Sequence, residues 1–160
     1  MRSIAAATLM SLAAAAAGAA GTVNVTFVEP DKFFDAANTK AEVPYNLGVL
    51  EQHLKQLGQR YLLDGQVLDI SVLDVDLAGH MLPARRVAQE FRVAKGTTDW
   101  PRIKVRYSLG ANGAPLKSGE ETLADLDYIR NVTTYSSSDP LYREKIMLEG
   151  WFRARFTSAH

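Results

Sequence analysis

The chain has 160 residues, no cysteine, 18 basic and 18 acidic residues and 47% hydrophobic content, the makeup of one globular domain. A formal charge of +0 removes the basic signature of a protein that grips phosphate backbones without sequence preference. The missing cysteines exclude a disulfide framework, a zinc ribbon, a thiol nucleophile and a lipidated N-terminal cysteine.

Residues 1–21 read as a leader rather than as fold. Arg2 supplies the positive end, an alanine- and leucine-rich stretch runs from Ile4 to about Ala17, and small residues follow. That is the layout of a secretory signal peptide, with a cut expected near residues 19–21. The apolar run is too short and too alanine-rich for a spanning helix. Residues 22–160 are then expected to form a single domain without a membrane span, held by packing alone.

The mature chain opens on a strand, with Val23, Val25 and Phe27 alternating with Asn24 and Thr26. Pro30 ends it. From Asn46 the period changes: Leu47, Leu50, Leu54, Leu57 and Tyr61 form one helical stripe, with Pro44 ahead of it and Asp64-Gly65 stopping it. Val67 to Leu77 is a strand whose apolar set switches parity near Val72-Leu73, where a bulge would keep both sets on one side. Phe91 and Val93 suggest a short strand, and His80 is expected in a turn. Ile103, Val105, Tyr107 and Leu109 alternate with Arg102, Lys104, Arg106 and Ser108, an amphipathic strand. Asn112-Gly113 signals a hairpin, returning antiparallel through Leu116 to Leu123. Asp139 and Pro140 start a last helix that runs to about Phe156. The expected fold is α+β: an antiparallel sheet of four to five strands with two helices packed on it.

The stretches Val25-Thr-Phe-Val-Glu-Pro30, Asp74-Val-Asp-Leu-Ala-Gly79 and Trp100-Pro-Arg-Ile103 belong together with Gly119-Glu120, Leu123, Asp125, Glu144-Lys145 and Trp151-Phe152. In them the chain resembles a family of exported bacterial proteins, domain-of-unknown-function family 3016, over essentially all of the mature part. The resemblance implies an envelope location, periplasmic or secreted. It supplies no activity, substrate or cofactor, and no cofactor is expected from the residues either.

Three groups of side chains invite chemistry. Asp74, Asp76 and His80 have the composition of a hard-metal site, two carboxylates and an imidazole within seven residues. Read plainly, the aspartates are the wet face opposite Val75 and Leu77. Glu120 is set opposite Val105 on the apolar face by a two-residue turn, with Asp125 close behind, so a small carboxylate-dependent hydrolase is one reading. The same register faces Lys104 with Glu121 and Arg106 with Gly119. A strand end, a basic partner or a bulge would each place Glu120 in water instead. The C-terminal helix carries apolar residues on more than one side, so Trp151 and Met147, with Trp100 as a lesser candidate, could dock an envelope protein or a second copy. The alternative is a helix buried on two sides. The expected role is binding rather than catalysis.

Overall fold

A computed structural model of the chain describes residues 20–83, 90–94, 98–130 and 141–157. These form one α+β domain with strands β1 (Thr22–Phe27), β2 (Gln66–Asp76), β3 (His80–Pro83), β4 (Glu90–Val93), β5 (Arg102–Ala111) and β6 (Ala114–Ala124). The helices are α1 (Val43–Tyr61) and α2 (Tyr142–Phe156), with two short 3-10 turns between β1 and α1. The leader expected over residues 1–21 falls, up to residue 19, outside the described residues. So does the Asp139-Pro140 helix start.

The main sheet has the order β1-β2-β5-β6. It is mixed, which corrects the antiparallel expectation: β1 runs parallel to β2, and only the β2–β5 and β5–β6 ladders are antiparallel. The reason is the connection. A long crossover through α1 returns the chain to the edge it left, whereas a tight hairpin would reverse it. His80 is not in a turn but begins β3, which pairs with β4 in a separate two-stranded sheet. Gly79 makes the corner between β2 and β3 with φ +82°, and a Cβ there would lie 2.7 Å from the Val93 carbonyl oxygen.

Two bulges set which side chains face the core. In β2 the register shifts between Val72 and Asp74, leaving Leu73 without a partner, as the parity switch requires. Leu68, Ile70, Val72 and Val75 thus all point inward and are no more than 1% exposed. In the β5–β6 hairpin, Asn112 and Gly113 both take positive φ in a two-residue turn. A further shift between Leu109 and Gly110 then moves every later pairing by one residue. Lys104 faces Thr122, Val105 faces Glu121 and Arg106 faces Glu120. The expected Val105–Glu120 pairing is therefore corrected by a bulge that no local sequence signal marks.

Both helices pack on the same face of the sheet. Leu50, Leu54 and Leu57 of α1 and Leu148 and Phe152 of α2 are at most 1% exposed. Each such side chain contributes roughly 1.5–3 kcal/mol on burial. Tyr107, Trp151, Phe152 and Phe156 form an edge-to-face cluster, with ring centroids 5.1–5.6 Å apart. Tyr61 and His53 of α1 reach Glu149 and the Lys145 carbonyl of α2, so the two helices run side by side in the same direction. No described helix is long and apolar enough to cross a membrane.

Candidate functional site

Where β2 ends, its last turn meets the beginnings of both helices. Glu42, Tyr45 and Asn46 from the start of α1, Leu77 and Ala78 after β2, Arg92 from β4 and Leu141 to Glu144 at the start of α2 line a cleft of about 380 Å3. At its floor is Glu144, 3% exposed. The Ala78 amide donates to its Oε1 at 2.7 Å, fastening the start of α2 to the end of β2. Burial is the main influence on this carboxyl and raises its pKa above the ordinary glutamate value; the amide bonds and nearby arginines pull the other way without prevailing. Leu141 enters α2 with φ 60°, a left-handed conformation that costs a branched side chain energy.

The rest of the lining is tied down with care. Arg92 grips Asp35 with both terminal nitrogens, at 2.8 and 2.9 Å, and gives its Nε to Asn38. Asn46 is buried and donates to the Ala36 carbonyl. Arg143 lies over two rings, 4.6 Å from the Tyr142 centroid and 5.4 Å from that of Tyr128. Tyr128 in turn donates to Asp99, whose other oxygen is 3.6 Å from His80 Nδ1. The Arg143 Nε is buried and has no acceptor among the described residues.

The residues singled out from sequence are distributed elsewhere. Asp74 accepts from the Phe34 amide at 2.8 Å, and Asp76 pairs with Arg102 through its Nε at 2.9 Å. His80 faces Asp99 instead of either aspartate, and among the described residues no group of three or more acidic or histidine side chains is placed to hold a metal ion. Glu120 lies outward between Lys104 and Arg106, at 2.9 and 2.8 Å, which lowers its pKa. Its place opposite Val105 is taken by Glu121. Burial there pushes the carboxyl pKa up, but hydrogen bonds from Arg155 and Tyr107 outweigh it and the net shift is downward. Asp125 accepts from the Asp127 amide in a local turn.

Trp151 and Met147 are each 7% exposed and face the sheet, so the apolar breadth of α2 is core and not an open docking edge. Their edges still form part of a larger, more open groove of about 510 Å3 between α2 and the end of β6. Trp100 is half-buried beneath the Arg102 guanidinium, 5.9 Å from its ring centre. Glu144, Arg143 and Arg92 were not among the sequence candidates. The available signal was the position of Glu144, three residues after Leu141 and four before Leu148, on the apolar stripe of its own helix.

A family model described as a protein of unknown function, DUF3016, matches residues 21–154. The chain belongs to this family. No curated protein and no solved structure matches it. The matched span of this DUF3016 protein takes in every described residue that lines the cleft, from Asn38 to Glu144.

Proposed function

We propose that this DUF3016 protein is exported to the cell envelope, periplasmic or secreted, and that it binds a ligand there rather than transforming one. The cleft between the starts of α1 and α2 is the binding site. The observation that carries this reading is the way its acids are engaged. Glu120, Asp74 and Asp76 are each held by a cation or a backbone amide on the sheet and do not line the cleft. Asp125 lines the open groove beside α2, with no second carboxylate among the described lining residues there. Glu144 does line the cleft, but at 3% exposed it fastens α2 to β2 and offers no open face to a substrate. The polar wall of the cleft is made by Arg143, Tyr142, Tyr45 and Arg92.

Export is supported by the leader composition and by where the fold starts. β1 begins at Thr22, and Gly21 already packs so tightly that a Cβ would lie 2.3 Å from that of Leu62. A cut after Ala19 or Ala20 keeps that contact.

Both halves can be tested in the native host with a photo-crosslinking residue placed at Tyr45, on the cleft, or at Leu63, beyond the far end of α1. The protein should be recovered outside the cytoplasm with Ala20 or Gly21 as its first residue. Position 45 should give an adduct of one discrete mass that position 63 does not. Cytoplasmic protein beginning at Met1 overturns export. Adducts absent from position 45, or equal at both positions, overturn the cleft.

A further inference from the structure

We propose that the cleft receives an oxyanion, a carboxylate or a phosphate, on the guanidinium of Arg143. This rests on reading the cleft as a binding site and names the chemistry of what it binds. Among the described arginines, Arg60, Arg92, Arg102, Arg106 and Arg155 each have a carboxylate partner, and Arg130 and Arg153 are exposed to water. Arg143 is partly buried, yet among the described residues its contacts are the faces of Tyr128 and Tyr142, and its buried Nε has no acceptor there. Ring faces attract a cation but take no hydrogen bond from the guanidinium edge. A buried donor left unmade is costly, and native structures rarely leave one without a partner.

The surroundings favour the same sign of guest. Tyr128 is fixed by its hydrogen bond to Asp99, so the ring under Arg143 is held in place and the guanidinium is oriented before anything binds. Arg92 lines the same cleft, although Asp35 already neutralises it. The starts of both helices line the cleft as well, and neither has a side-chain cap on its first amides. Each helix start carries the equivalent of roughly half a positive charge. Of the two acidic side chains in the lining, Glu144 is withdrawn to the floor on the Ala78 amide and Glu42 is exposed at the rim. Two oxygens of a carboxylate or of a phosphate match the paired N–H donors along the edge of a guanidinium.

The test follows the arginine Nε–H correlations of the 15N-labelled exported protein while inorganic phosphate or benzoate is added, each against chloride at matched ionic strength. The Arg143 signal, identified by its loss in Arg143→Lys, should move saturably. Arg143→Gln should weaken binding about tenfold or more, read from the Nε–H signal of Arg92, which lines the same cleft. Movement with phosphate alone assigns a phosphate-bearing ligand, movement with benzoate alone a carboxylate, and movement with both the shared oxyanion chemistry. An Arg143 signal that moves no further than it does with chloride overturns the inference. If that happens while position 45 still crosslinks, the cleft binds something that is not an anion and the site survives. If the crosslink is also absent, both readings fall. The wild-type signal decides the matter even if a substitution disturbs folding.

Discussion

Glu144 is a carboxyl that the fold keeps out of water, and its protonation is coupled to stability. Its folded pKa is raised from the ordinary value of 4.5, chiefly by burial. Between 4.5 and the folded value, the folded protein therefore holds more proton than the unfolded chain. Stability contributed by this group is complete below that window and falls as pH rises through it. Glu144→Gln keeps an oxygen for the Ala78 amide but has no proton to release. The variant should match the parent near pH 4.5 and become progressively the more stable of the two as pH rises, in urea denaturation at a series of pH values. Buried His53 has a lowered pKa, mainly from desolvation, so its contribution is lost as pH falls below 6.5. That opposite limb is common to both proteins and cancels in their difference. A difference that stays flat with pH would place the Glu144 proton elsewhere. The residue was legible in the sequence only as an acid on an apolar stripe. Arg143 was not, because the two rings that hold it come from positions fifteen residues apart and adjacent to it.

α1 approaches β1 closely enough that one helical position must lack a side chain. A Cβ on Gly58 would lie 2.2 Å from Cγ2 of Val23. Gly58→Ala should lower stability by about 1–3 kcal/mol in urea denaturation despite alanine's better helix propensity. Adding Val23→Ala should recover part of that loss by emptying the contact. No loss in the single variant would mean that the helix rides further from the sheet. The elements themselves were readable from hydrophobic period: the stripe from Leu47 to Tyr61 and the alternation from Ile103 to Leu109 both match observed elements. Strand direction was misread as antiparallel throughout, although β1 and β2 are joined through a helix and that order calls for a parallel pair. The hairpin register was not readable, because the bulge beside Leu109 leaves the alternation on each strand looking regular.

Across the whole molecule, zero net charge conceals a separation of roles between the two faces of the sheet. The outer face is a lattice of Lys104, Arg106, Glu120, Asp69 and Asn24, closed by its own ion pairs and hydrogen bonds. The inner face and both helices are one apolar core without a crosslink. The cleft lies at the end of that core, where residues 42–46, 77–78, Arg92 and 141–144 converge, and no local stretch of sequence announces such a meeting. The bulge in β2 bears on the same core. Val72 faces inward and the next paired residue, Asp74, already faces outward, so Leu73 is one residue more than the in-and-out count requires. Its removal leaves Val75 inside and Asp76 outside on an unbroken ladder. The β2 strand thus has a built-in tolerance for a length change that its neighbours lack. A chain without Leu73 should still unfold in one cooperative transition, while a chain without Arg106 of β5 should not, because there every later side chain changes sides. The seam in the middle of the sheet is where this chain is expected to lose a residue and keep its fold.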